Sequence, residues 1–281
     1  MAFGVDTVST LTTIDWPTFY GWKKEWPSWV GRYFGGDASS IAGEFTYVLQ
    51  HTSSVCKHVL PIQGATSSQL QDAANGGYNL GVEDANATIV NINKFLSTNE
   101  LAINPAANSV YVYLDVEKVN KSGVVTVTQA YWAGWADTIY NAKTDSGLQP
   151  YFPCIYSQFV PESGLYVLNA SVADTLNGVH ASFPNAAARC YGLWSPQPFF
   201  FSQCDSSFPA DWTGVFGSVN QAWGATTYPV PVYAWQYAEP GGPNGCWANT
   251  YPGFAGKQNL DMDSSDSTGA ETFMLSIQAK S

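Results

Sequence analysis

The chain has 281 residues, of which 45% are hydrophobic and only 12% charged, so it can bury a large core and is not a disordered polymer. Its net charge of −11, with 11 Lys and Arg in all, excludes a phosphate-binding surface for nucleic acid and argues equally against anionic membranes. No apolar run approaches the ~18 to 20 residues of a membrane span.

Taken in order, Phe3 to Val8 (FGVDTV) is expected to be a strand carrying Asp6 near its end. The Pro- and Gly-punctuated stretch with Trp16, Trp22, Trp26 and Trp29 reads as loop or short helix. A second strand, Trp29 to Phe34 (WVGRYF), closes at Gly35-Gly36; Glu44 to Val55 reads as helix, and Lys57 to Gln63 (KHVLPIQ) as a third strand ending in Gln63. Gly81 to Phe95 has apolar positions near helical spacing, with Glu83 and Asp84 suited to a helix N-terminus. Ser109 to Glu117 (SVYVYLDVE) is the central strand. It is followed by an amphipathic helix over Val124 to Ala142 and a strand over Gln149 to Tyr156. A short helix at Ser171 to Gly178 and a strand at Arg189 to Trp194 precede Ser195 to Thr227, which reads as a long insertion without clear period. Pro231 to Tyr237 (PVYAWQY) and Asn259 to Asp263 (NLDMD) read as the last strands, and Thr272 to Ile277 as a closing helix.

About eight short strands interleaved with helices or long connectors, without repeat or linker, imply one α/β domain over the whole chain. The most economical form is a (β/α)8-type, TIM-like barrel, with an irregular ring permitted, because parallel strands need crossovers and a barrel uses them all. The central strand is apolar on both faces, as in a buried parallel sheet. A strand has a side-chain period of two, so Asp115 and Glu117 share one face at its C-terminal end. Two acids on one face repel, and burying them raises at least one pKa; a solvated strand end is the plain alternative. In a barrel the polar strand ends, Asp6, Gln63, Asp115, Glu117, Tyr156, Gln236, Asp261 and Asp263, converge on one mouth.

Five cysteines without CxxC spacing do not make a zinc site. Cys190 with Cys204, or Cys204 with Cys246, could be loop disulfides. An opening MAFGVD without basic or apolar leader fits either a cytoplasmic protein or a mature domain carrying a start Met, and few lysines, many tryptophans and loop-placed cysteines lead us to expect the mature form of a secreted protein.

Four stretches, FGVDTVSTLTTIDW, YLDVE, YAWQY and NLDMD, resemble in order and spacing the signature of family-25 glycoside hydrolases, the muramidases or Chalaropsis-type lysozymes. The N-terminal third, with FGVDT, WVGRYFGG and GVEDANA, is similar to the related bacterial glycoside-hydrolase-like domains. The resemblance covers nearly the whole chain except about Ser195 to Thr227. It implies Glu117 as general acid, Asp115 as its ionised partner, Asp6 as an orienting group and Asp261 as the residue completing the carboxylate cluster. The chain departs from the family pattern at Asp263, where Asn is usual, and in the Thr-Val-Ser that follows Asp6.

The expected activity is hydrolysis of a β-linked, N-acetylated polysaccharide, peptidoglycan first, by a monomer with no cofactor and no metal. Such chemistry needs a proton for the leaving oxygen and negative charge near an oxocarbenium-like centre. Tyr33, Tyr156, Trp194 and Trp235 are candidate sugar platforms, each with core packing as the plain alternative. Gln63, Gln236 and Asp263 are candidates for hydrogen bonds to hydroxyl or acetamido groups. Two other classes stay open: a catalytically silent carbohydrate-binding barrel, and a metal-dependent hydrolase with Asp6, Asp115, Glu117, Asp261 and Asp263 as hard ligands.

Overall fold

A computed structural model describes residues 2–35, 38–64, 77–105, 109–116, 127–143, 151–157, 159–162, 165–168, 170–184, 189–196, 218–223, 226–238, 260–265 and 273–280. The N-terminal part runs β1 (Ala2–Thr7), α1 (Trp16–Lys23), β2 (Trp29–Tyr33), α2 (Ala38–His51), β3 (His58–Gly64), α3 (Gly77–Leu96), β4 (Leu101–Pro105) and β5 (Val110–Asp115). It continues through α4 (Gln129–Asn141), β6 (Tyr151–Tyr156), a hairpin of β7 (Phe159–Glu162) and β8 (Leu165–Leu168), and α5 (Ala170–Ser182). The last strands are β9 (Leu193–Pro196), β10 (Ser218–Trp223), β11 (Thr226–Ala238), β12 (Asp261–Ser265) and β13 (Leu275–Ala279).

Seven of these strands, β1, β2, β3, β5, β6, β9 and β11, are joined by parallel pairings into one curled sheet. β12 lies antiparallel between β11 and β1. The fold is therefore α/β and barrel-like. A core of apolar side chains fills the space between the sheet's outer face and the helices: Val5, Val30, Val59, Val112, Leu114, Ile155 and Trp235 belong to it. A second, smaller cluster lies on the inner face, built from Trp29, Leu60, Ile62, Tyr113, Cys154, Tyr156, Trp194 and Ala234. Along β2, β3 and β5 period-two alternation assigns successive buried apolar residues to one cluster or the other.

Three glycines make the inner cluster possible. A Cβ on Gly4 would lie 2.0 Å from the Trp29 ring, one on Gly31 would lie 2.5 Å from the Trp194 ring, and one on Gly64 would lie 3.1 Å from the Tyr33 ring. Three adjacent strands thus carry a gap facing inward, and a large aromatic ring fills each. On the outer side, Gly81 and Gly134 let α3 and α4 cross at backbone contact, since a Cβ at either would meet the other helix's carbonyl oxygen at 2.3 or 2.0 Å. Glu44 on α2 ties the outer face of β2 to the chain before α1. It accepts from Arg32 through both carboxylate oxygens, at 3.0 and 2.9 Å, and from the Leu11 N–H at 2.9 Å.

Several expectations change. Thr272 to Ile277 does not end the chain as a helix. Leu275 and Ile277 are buried at alternate positions of β13, which pairs antiparallel with β3 and β4 and so satisfies two strand edges. The helix expected at Val124 begins only at Gln129, where Thr128 caps it by accepting from the Tyr131 N–H. α3 starts at Gly77, which moves Glu83 and Asp84 beyond its first turn; Asp84 instead accepts from the Tyr131 hydroxyl at 2.7 Å. Part of the expected insertion, Ser218 to Trp223, is strand, hairpinned onto a β11 longer than read from sequence; residues 197–217 lie outside the described residues.

Candidate active site

The C-terminal ends of the parallel strands and the N-terminal end of antiparallel β12 form one rim. Asp6 lies one residue before the end of β1 and is buried at 3% exposure; its Cβ would be met by a Cβ on its register neighbour Gly31 at 2.8 Å, so it faces inward. Asp261 is the register partner of Asp6 on the other side. For Asp261 only the backbone position is described. Asp115 ends β5, in register with Gly64 of β3 and Tyr156 of β6. The expected general acid, Glu117, lies outside the described residues.

Asp115 has the most chemically distinctive surroundings. Its Oδ2 accepts from the Tyr33 hydroxyl at 2.9 Å, while Oδ1 is shielded from solvent and has no hydrogen-bond partner among the described residues. Loss of hydration disfavours the charged form, and the single Tyr33 donor only partly offsets it. The carboxyl is accordingly pushed up from its ordinary value of 3.8 to about 7. Asp115 was expected to remain ionised beside Glu117; in these surroundings it holds a proton below about neutral pH instead.

Further round the inner face the polar groups satisfy one another. Trp194 Nε1 donates to Asp263 Oδ1 at 3.1 Å, and the Tyr156 hydroxyl donates to Gln236 Oε1. Asp263 is wholly buried between its register neighbours Gly4 and Gln236, one pleat below the rim. Trp194 is the hub of this layer, in edge contact with Trp29, Tyr113 and Tyr156 at centroid distances of 5.7, 5.9 and 4.7 Å. It is fully buried, as are Tyr156 at 3% and Gln236 at 1% exposure. These residues build the floor beneath the rim rather than an open sugar platform, leaving Tyr33 as the one partly exposed aromatic of those expected.

Two expected binding residues turn away from the rim. Gln63 Oε1 accepts from Thr88 of α3 at 2.7 Å and from Trp135 Nε1 of α4 at 2.6 Å, which fixes it in the helical layer. Trp235 belongs to the same outer core. Both corrections follow from parity: Gln63 alternates with inward Ile62 and Gly64, and Trp235 with inward Ala234 and Gln236. Of the two disulfides considered, Cys190–Cys204 is not formed, because Cys190 is a free, buried thiol donating to the Gly192 carbonyl at 3.2 Å. Cys204 and Cys246 lie outside the described residues. Among the described residues no group of three or more His, Cys, Asp and Glu could hold a metal ion.

The features that sequence reading missed are Gly31 and Gly64, whose empty inner positions admit the Trp194 and Tyr33 rings. A glycine inside a strand is itself the signal of a close approach.

Comparison with known proteins bears on the fold alone. No family model matches the chain, and no curated protein matches it. A solved structure, described as a 1.07 Å crystal structure of an uncharacterized B. stearothermophilus protein, is similar over 98% of this chain and 100% of that one, with a TM-score of 0.53 and 15% identity. No helix among the described residues is long and apolar enough to cross a membrane.

Proposed function

We propose that this protein is a glycoside hydrolase of the muramidase type, an irregular (β/α)8 barrel that cleaves β-linked, N-acetylated polysaccharide, peptidoglycan first. In this reading it is secreted, works as a monomer and uses no metal. The observation that carries the reading is Asp115: a carboxyl at a strand's C-terminal end, hydrogen-bonded by Tyr33 and raised by burial to about 7. Glycosidic cleavage requires such a group, one that still holds a proton near neutrality to give to the leaving oxygen.

The second requirement is a carboxylate that stays charged. Glu117 is two residues further on in the sequence. We assign the pair one shared proton, carried in the resting state by Asp115 and given by it to the leaving oxygen, with Glu117 as the carboxylate that stays charged. Paired acids titrate in this way because the two cannot both be charged cheaply. Asp6, with Asp261 as its register partner, orients the site from elsewhere on the same rim. The burial of Trp194, Tyr156 and Trp235 speaks against a purely carbohydrate-binding role, since those rings offer no face to a sugar.

The test is release of reducing ends from purified peptidoglycan, chitin and β-glucan in the presence of EDTA, comparing the native protein with Asp115→Asn and Glu117→Gln. Release from peptidoglycan that survives EDTA and drops by roughly 100-fold or more in either variant, the scale of a lost acid–base group, is the expected result. No release by the native protein from any of the three glycans overturns the reading.

A further inference from the structure

Tyr33 was expected as a sugar platform, but its geometry gives it another task. It stands on β2 and Asp115 on β5, with β3 between them. The hydrogen bond of 2.9 Å therefore spans a whole strand, and it does so above Gly64, whose absent side chain leaves room for the Tyr33 ring at 3.1 and 3.2 Å from the position of a Cβ. The contact falls on Oδ2 alone; Oδ1 is buried and has no partner among the described residues.

We propose that Tyr33 is a positioning residue: by donating to Oδ2 from across Gly64, it fixes the rotation of the Asp115 carboxyl and confines its transferable proton to Oδ1. A neutral carboxyl has one carbonyl-like oxygen, which accepts, and one hydroxyl-like oxygen, which donates. A donor locked onto Oδ2 makes that oxygen the acceptor, so the proton resides on the other. The proposal rests on Asp115 being the acid of the site proposed above, but its physical content can be read without turnover.

The experiment follows the Asp115 side-chain carboxyl by 13C NMR across a pH titration of the full chain, with Asp115→Asn identifying the resonance. Removing a hydrogen bond to the charged form raises a carboxyl's pKa. Tyr33→Phe deletes only a hydroxyl and is expected to move the midpoint up by about one unit, tenfold in the acid constant. Site-specific 3-fluorotyrosine at position 33, a stronger donor of nearly the same size, moves it down. A midpoint that stays put in both, or that falls in Tyr33→Phe because Tyr33 was accepting the Asp115 proton, overturns the proposal. The same variants are then assayed on peptidoglycan, where the alkaline limb of kcat/KM is expected to follow the carboxyl midpoint. If the midpoint moves as expected and the native protein releases no product, the glycosidase reading fails and the proton placement stands. If product is released and the midpoint does not move, the placement fails and the glycosidase reading stands.

Discussion

Asp115→Asn is expected to make the protein more stable at alkaline pH while removing the proposed proton donor. The folded state holds the Asp115 carboxyl at about 7 against an ordinary value of 3.8. A group whose folded pKa is raised binds more protons in the native than in the unfolded state, so its contribution is fully present below the unfolded value and is lost as pH rises through the folded one. At about 1.4 kcal/mol per pH unit, the native protein loses roughly 4 kcal/mol from this group between about pH 4 and about pH 8. Asparagine has the same shape and can still accept from Tyr33, but carries no charge at any pH. Urea unfolding of both proteins at the two pH values reads this contribution together with any change it makes in a coupled acid, because uncoupled titrating groups cancel in the difference. Near pH 4 the two are expected to agree within about 1 kcal/mol. Near pH 8 the variant gains up to about 4 kcal/mol, seen as a higher midpoint with an unchanged slope. A variant that is less stable than the native protein at pH 8, or whose difference does not change with pH, refutes the claim that desolvation dominates at Asp115.

Other consequences of the packing can be checked in the same way. Gly134→Ala places a Cβ 2.0 Å from the Tyr78 carbonyl oxygen. Backbone at a helix crossing gives way only by separating α3 from α4, so a loss of about 1–3 kcal/mol or more in urea unfolding is expected. Trp194→Phe removes the indole donor from wholly buried Asp263 and leaves a gap beside Gly31. Loss of about 3 kcal/mol or more is expected from the lost hydrogen bond and the cavity together, and a loss under about 1 kcal/mol would show that Asp263 does not depend on that bond. Cys56, Cys154 and Cys190 are buried, and burial pushes their thiols up, Cys190 to about 12. They are expected to resist alkylation in the folded protein and all three to be modified after unfolding without reductant, as read by peptide mass spectrometry.

How far the sequence disclosed this arrangement depends on which physical signal each part left in it. Strands such as SVYVYLDVE and KHVLPIQ were legible because a strand buried on both faces must be apolar throughout, and nothing else in a chain this polar at its turns looks like that. Helix boundaries were less so: Thr128 caps α4 through a single side-chain contact, and the preceding VVTV has no feature that forbids helix except β-branching. β13 was misread for a general reason. FMLSIQ is apolar at both helical and alternating spacing, and only the strand edges of β3 and β4, distant in sequence, decide between them.

At the rim the same logic separates what could be read from what could not. The position of Asp115 at a strand end follows from period and length, and its inward direction follows from sharing a face with Tyr111 and Tyr113. Parity would also have turned Gln63 outward had the strand's inner face first been fixed by its glycine: Gly31 and Gly64 sit two or four residues from Trp29, Leu60 and Ile62, all inward, whereas Gln63 is offset by one. The protonation of Asp115 is a different kind of fact. It depends on how completely three strands and their rings exclude water from one carboxyl, and on a hydroxyl that reaches it from 82 residues away. No local pattern encodes that. The glycines are the nearest thing to a written record, because an inward-facing strand position left empty is destabilising unless a large side chain from elsewhere fills it. Three such gaps on adjacent strands, matched by Trp29, Trp194 and Tyr33, make the inner surface a set of complementary pairs. The pair at the rim, Gly64 with Tyr33, is the one whose filling side chain carries a hydroxyl, and that hydroxyl meets the Asp115 carboxyl, which burial raises towards neutrality.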